Sequence, residues 1–202
     1  QGGIVMHKIL IIDTGTGNLK NAAKAFGAEV ASCEREIRRA DKLVFPGVGT
    51  FDTVMRNIHH LKDAILEHIQ RQKPFFGICI GMQILFERSE EGCKKGLGIF
   101  KGTVVRIKNA KTPHMGWNNL IIARDSRILK NLSEKDFFYF VHSFYAEPKN
   151  IETSAFAQHF SEYGCINICS VIEENNIFLT QFHPEKSYLS GEKIIDNFRR
   201  IL

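Results

Sequence analysis

One stretch constrains this chain more than any other: Pro74-Phe75-Phe76-Gly77-Ile78-Cys79-Ile80-Gly81-Met82-Gln83. An apolar run leads into a cysteine with a glycine two places before it and another two places after. Met82 to Arg88 then reads as the first turns of a helix. This is the strand, sharp turn and helix of a nucleophile elbow, with cysteine in the serine's place. A nucleophile on such a turn forces neighbouring backbone together, so the flanking positions need residues without Cβ. The start of a helix favours thiolate at Cys79, and the Ile80 N–H points to where an oxyanion would form. The competing reading is a small buried hydrophobe, the usual fate of a free cysteine.

The rest of the front half repeats strand and helix. Lys8 to Asp13 is a short continuous apolar run, as in a parallel strand buried on both faces. The loop Thr14-Gly15-Thr16-Gly17-Asn18 and a helix from Leu19 to about Phe26 follow. The loop lacks the third glycine of a dinucleotide fingerprint, and no acidic residue closes a second strand at the usual distance, so no nucleotide cofactor is expected. Asp41 to Phe45 predicts a second buried strand, ending in Pro46-Gly47-Val48-Gly49, whose two glycines permit unusual backbone angles and a peptide flip. Helices are expected over Phe51 to Leu61 and Lys62 to Gln72. After Gly92 strand-like pieces crowd together: Gly102 to Ile107, Trp117 to Ile122, Phe137 to Ala146, Thr153 to Ala157, Ile166 to Glu173 and Ile177 to Phe182. Helical patterning returns at Glu192 to Leu202. The expected class is therefore α/β, a largely parallel sheet with antiparallel strands added by the back half.

With 202 residues and no linker rich in Gly, Ser or Pro, one domain over 6–202 is expected. Gln1 to Val5, ahead of Met6, reads as a remnant added before the natural start. The five cysteines are odd in number and lack C-x-x-C metal spacing, which points to free thiols, a reducing cytosol and no metal. Cys165 and Cys169 could share a helix face or lie at opposite ends of a short strand. No run is long enough to span a membrane. The net charge of +5 is spread over short pairs such as Arg38-Arg39 and Lys94-Lys95, with no basic run interleaved with aromatics, so nucleic-acid binding is not expected.

Thiolate chemistry needs a base, and the base needs an orienting group. Of eight histidines, His7, His59, His60 and His68 read as surface residues, while His114, His142 and His159 fall in the β-rich half. His183 stands apart because it closes the apolar strand ending at Phe182 and precedes Pro184-Glu185. The residue before a proline is pushed toward extended geometry, and residues two apart in an extended segment share a side. Glu185 can therefore sit beside His183 and fix its ring. The bland alternative is a strand end with a turn proline and a solvated glutamate.

Taken in order, Gly77-Ile78-Cys79-Ile80-Gly81-Met82-Gln83, the Pro46–Gly49 loop and His183-Pro184-Glu185 resemble the class I (triad) glutamine amidotransferases. The finer pattern is similar to the glutaminase subunits of imidazole glycerol phosphate synthase, through Asp13-Thr14-Gly15, Asn18-Leu19, Pro113-His114-Met115-Gly116-Trp117-Asn118, Tyr139-Phe140-Val141-His142-Ser143 and His183-Pro184-Glu185-Lys186-Ser187. Thr14 departs from the tyrosine common at that place. The resemblance implies a flavodoxin-like, three-layer α/β/α fold. It implies Cys79 as nucleophile, His183 as general base and acid, and Glu185 as orienting residue. Val48 and Ile80 N–H groups would form the oxyanion hole, and Gly49 and Gln83 would contact glutamine. It further implies a heterodimer with a (β/α)₈ cyclase subunit that receives ammonia and makes imidazole glycerol phosphate and AICAR from PRFAR in histidine biosynthesis. Asn18, Met115, Trp117, Tyr139 and Lys186 match interface positions. A glutaminase for another acceptor (pyridoxal phosphate or anthranilate synthase), an ungated γ-glutamyl hydrolase, and a noncatalytic redox or interaction protein on a similar sheet remain as alternatives.

Overall fold

A computed structural model describes residues 7–17 and 19–202. The expected remnant at 1–5 and the interface position Asn18 lie outside the described residues. In chain order the front half gives β1 (Ile9–Ile12), α1 (Leu19–Phe26), β2 (Glu29–Ala31), α2 (Glu34–Arg39), β3 (Lys42–Phe45), α3 (Phe51–Asn57), α4 (Lys62–Gln70), β4 (Phe75–Ile78), α5 (Ile80–Gln83) and β5 (Phe86–Ser89). The back half gives β6 (Phe100–Arg106), β7 (His114–Asn119), β8 (Ile121–Ile122), β9 (Phe137–His142), β10 (Phe144–Pro148), β11 (Ala155–Ser161), β12 (Gly164–Glu174), β13 (Ile177–Thr180) and α6 (Tyr188–Arg199).

The main sheet has the order β2-β1-β3-β4-β13-β12-β11-β8. The pairs β2/β1, β1/β3, β3/β4 and β4/β13 are parallel, and the pairs from β13/β12 outward are antiparallel. The core divides by strand alternation. Leu10, Ile12 and Phe75 face one cluster, capped by Ile37, Val54 and Ile65 of α2, α3 and α4. Ile11, Phe76 and Phe178 face the other, capped by Phe26 of α1 and Phe198 of α6. Helices thus cover both faces, the three-layer α/β/α arrangement of a flavodoxin-like fold. Phe76 and Phe198 meet edge to face at 5.0 Å, and Phe26 joins them at 5.4 Å from Phe76, a geometry the ring quadrupoles favour.

This topology builds the site. The loops after β3, β4 and β13 leave the carboxyl edge of three adjacent parallel strands, and they carry Gly47–Gly49, Cys79 and His183. An antiparallel ribbon of β7 and β9 stands beside them, joined through a bridge between Tyr139 and His183. A third sheet, β10-β6-β5, closes the far side.

Several sequence expectations change. The helix expected over Met82 to Arg88 stops at Gln83, and β5 follows. The carbonyls of Ile84 and Leu85, which a continuing helix would use, accept instead from the backbone N–H groups of Leu97 and Ile99. With Ile84, Leu85 and Phe86 all fully buried, no side of this segment is left for solvent. The single expected strand from Phe137 to Ala146 divides at Ser143 between two sheets. The last helix starts four residues earlier than its pattern suggests, because Tyr188 and Leu189 point to solvent. His68 is buried rather than on the surface: its Nε2 meets the Pro74 carbonyl at 3.0 Å, and burial lowers its pKa to about 4. Cys165 and Cys169 share β12, one exposed and one buried, and burial pushes the Cys169 thiol up to about 12. All five cysteines are free. No helix among the described residues is long and apolar enough to cross a membrane.

Candidate active site

Cys79 follows the last residue of β4 and precedes the single turn of α5, with φ 50° and ψ −105°. Two close approaches force the glycines that flank it. A Cβ at Gly77 would lie 2.5 Å from the Gly81 carbonyl oxygen, and one at Gly81 would lie 2.5 Å from that of Phe45. The Cys79 N–H donates to the Thr180 carbonyl at 2.7 Å, which ties the elbow to the strand leading to His183. At the neighbouring loop, a Cβ on Gly47 would lie 2.0 Å from the Ile78 carbonyl oxygen and 2.8 Å from Cys79 Cβ. The loop after β3 is therefore pressed directly against Cys79.

His183 Nδ1 lies 2.8 Å from Glu185 Oε1, and both side chains are 1% exposed. The extended backbone at His183 (φ −99°, ψ 96°) and the short 3₁₀ turn Pro184–Lys186 after it put the two side chains together, as their spacing predicts. Its backbone is also held: the N–H donates to Tyr139 O at 2.9 Å, and the carbonyl accepts from Ser187 Oγ at 2.6 Å. Burial pushes the imidazole pKa down, but hydrogen bonds and charge from Cys79 and Glu185 outweigh it and raise the value to about 9. A histidine that shares a cavity wall with the Cys79 thiol and is hydrogen-bonded to a buried carboxylate can hold the cysteine's proton and later give it back.

These groups border a cavity of about 440 Å³, lined by Gly47, Val48, Gly49, Cys79, Ile80 and Gln83 from the strand-end loops, and by Glu91, Pro113, Val141 to Phe144, His183 and Lys186. Cys79 and His183 thus share one cavity wall with Val48, Gly49, Ile80 and Gln83, and Glu185 lies behind His183. A larger cavity of about 750 Å³ lies behind Pro184-Glu185, between α1 and α6, but Cys79 does not line it. Ile80 is the first residue of α5, where a backbone N–H has no intrahelical acceptor. Gln83 is 3% exposed and donates to Phe144 O at 2.9 Å and to Gln181 Oε1 at 3.0 Å.

Sequence reasoning missed Glu91 and Gln181. Glu91 lines the cavity while its Oε2 accepts the Phe51 N–H at 2.7 Å. Its place in a run of exposed-looking acids gave no sign of this. Gln181 is fully buried and its Nε2 lies 3.4 Å from Cys79 Sγ; a glutamine inside an apolar strand was the available signal. Of the expected interface positions, Met115 and Trp117 are 61% and 48% exposed, and Lys186 Nζ sits 5.9 Å over the Tyr139 ring. Trp117 meets Tyr139 edge-on and stacks on Tyr188 with only 10° between planes.

The "Glutamine amidotransferase class-I" family matches residues 10–201, nearly the whole chain. The chain belongs to the class I glutamine amidotransferases. It is an enzyme that hydrolyses glutamine. It is 46% identical over 197 residues to imidazole glycerol phosphate synthase subunit HisH of Pyrococcus furiosus, covering 97% of this chain and all of that one. It is 40% identical to the subunit of the same name from Thermococcus kodakarensis, covering 96% of this chain and all of that one. These relatives support the glutaminase subunit of imidazole glycerol phosphate synthase among the amidotransferases. The fold is also that of the PurLQS structure from Thermotoga maritima, with a TM-score of 0.71 at 17% identity over 96% of this chain and 98% of that one.

Proposed function

We propose that residues 6–202 form one glutaminase domain that works in the cytoplasm as a heterodimer with a cyclase subunit, to which it passes ammonia without releasing it to solvent. The observation that carries the chemistry is the buried His183–Glu185 pair, whose histidine lines the same cavity as Cys79. Cys79 gives its proton to His183, and the thiolate attacks the carboxamide carbon of glutamine. The N–H groups of Ile80 and Val48 hold the oxyanion. As the tetrahedral adduct collapses, the C–N bond breaks and His183 protonates the departing ammonia. His183 then takes a proton from water, which adds to the γ-glutamyl thioester; glutamate leaves as the Cys79 thiol is restored.

Glu91 supplies a negative charge for the ammonium group of glutamine, while Gly49 and Gln83 line the bound molecule. Turning the Gly47–Val48 peptide brings the Val48 N–H toward the oxyanion, and the glycines on either side of Val48 permit the backbone angles this needs. That turn awaits the partner and keeps the isolated subunit slow.

The partner surface is the outward face of the β7/β9 ribbon, with Met115 and Trp117 on one strand and Tyr139 on the other, continued by Lys186. Exposed aromatic and methionine side chains are the usual anchors of such surfaces. The test is glutamate release from glutamine by the chain alone, then with a cyclase subunit and its nucleotide substrate. Strong stimulation, abolished in Cys79→Ala, is expected. Equal activity with and without the cyclase refutes the gated heterodimer, and activity that survives Cys79→Ala refutes the triad.

A further inference from the structure

The buried polar groups between the ribbon and the nucleophile form a chain whose hydrogen-bond direction is fixed by one backbone atom. The Phe144 carbonyl can only accept. It lies 2.9 Å from the Gln83 amide and 2.8 Å from His142 Nδ1, so Gln83 presents Nε2 to it and His142 carries its proton on Nδ1. Because Gln83 Nε2 also lies 3.0 Å from the Gln181 amide, Gln181 must turn its oxygen toward Gln83. Its nitrogen is then left facing Cys79 Sγ at 3.4 Å.

On the other branch His142 Nε2 is an acceptor, so His114 Nδ1 at 3.0 Å carries the proton, and His114 Nε2 accepts from Asn118 Nδ2 at 3.2 Å. Burial is the first cause of the low pKa values of His142, about 3, and of His114, about 4, so each ring is neutral and holds one tautomer.

We propose that Gln181 is a catalytic residue of the glutaminase reaction, donating from Nε2 to the Cys79 sulfur and stabilising its anionic form. Gln83, the Phe144 carbonyl, His142 and His114 are the positioning groups that keep the amide from flipping. A flipped amide would present oxygen lone pairs to the thiolate and oppose its formation. Gln181 is suited to this role because it is fully buried in the segment between β13 and His183, on the same stretch of backbone as the base. The inference rests on the reading of Cys79 as the nucleophile of glutamine hydrolysis.

The test uses the complex with the cyclase and its nucleotide substrate. Two quantities are measured: glutamate release, and the pH dependence of Cys79 alkylation by iodoacetamide. In Gln181→Met, similar in length but without a donor, the midpoint of the alkylation profile is expected to move up by about one to two pH units. Turnover falls by about 10- to 100-fold near neutral pH, the range for a hydrogen bond to a charged group. Gln181→Glu keeps the contact with Gln83 Nε2 through one oxygen and turns the other on sulfur. It lowers turnover further than Gln181→Met, and it decides the question if Gln181→Met does not fold. A folded variant of either kind with the parent's alkylation profile and turnover overturns the assignment of Gln181 while leaving the triad in place. Glutamate release that persists in Cys79→Ala removes the triad reading itself, and this inference with it.

Discussion

Replacing Glu185 by glutamine isolates one charge in the site. The side chains have nearly the same shape, so Oε1 can still accept from His183 Nδ1, now without a formal negative charge. The pair is 2.8 Å apart and both side chains are 1% exposed, so little solvent screens it. With charge centres about 4 Å apart and an effective dielectric constant of about 20, carboxylate and imidazolium attract by about 4 kcal/mol. That interaction is strongest when His183 is protonated, which is the state from which ammonia receives its proton. Losing it should lower turnover by roughly 10³-fold, at about 1.4 kcal/mol for each factor of ten. Burial already pushes the His183 pKa down, and Glu185 is one of the groups holding it near 9, so the variant's imidazole loses its proton at lower pH. The assay is glutamate release by the cyclase complex between pH 6 and about 10, with thermal unfolding to show the variant is folded. A folded variant that loses less than tenfold, with an unmoved pH profile, refutes the view that the buried carboxylate acts through its charge.

Gly47→Ala places a methyl group 2.0 Å from the Ile78 carbonyl oxygen, so elbow and loop must separate. Turnover should fall by about 10² or more, since displacements near 1 Å have that effect; unaltered turnover in the folded variant would show that the loop yields without moving Cys79. Stability should decline as pH drops from about 6.5 toward 4. His68, His114 and His142 have native pKa values below the unfolded one, so the unfolded chain binds more protons across that window. His183 has the opposite sign: its contribution is full below about 6.5 and is lost as pH rises through about 9. Denaturant unfolding at pH 7.5 and pH 5 checks the acid side, and equal midpoints would contradict it. Trp117→Ala should weaken cyclase binding by about 10- to 100-fold, as loss of a central aromatic anchor does. Alkylation of Cys79 in the isolated chain should be unaffected, and calorimetric titration with the cyclase showing parent affinity would move the docking face elsewhere.

The strands β1, β3, β4 and β13 were legible because each is a short apolar run buried on both faces, and such runs need no periodicity to stand out; their order in the sheet was not. Nor was the edge of the sheet. β2 has three residues with two exposed, and α2 has six with only Ile37 buried, so neither displays a pattern. The elbow and His183-Pro184-Glu185 were readable because close backbone approach and proline geometry leave a mark on residue type. Glu91 left none, since its contact with Phe51 is far away in the chain, and Gln181 left only a polar residue in an apolar run, its contact with Gln83 being distant too. His68 was misread for a different reason: its ring meets the carbonyl of Pro74, six residues on, where the chain turns back.

Cys79 is held at φ 50°, where a side chain is disfavoured by about 1–3 kcal/mol. Glycine would relieve that at once, so Cys79→Gly should melt at a higher temperature than the active protein while losing all hydrolysis. Selection for a durable fold and selection for turnover therefore pull in opposite directions at one codon. A duplicated copy released from catalysis would be expected to lose its nucleophile first and become sturdier by doing so.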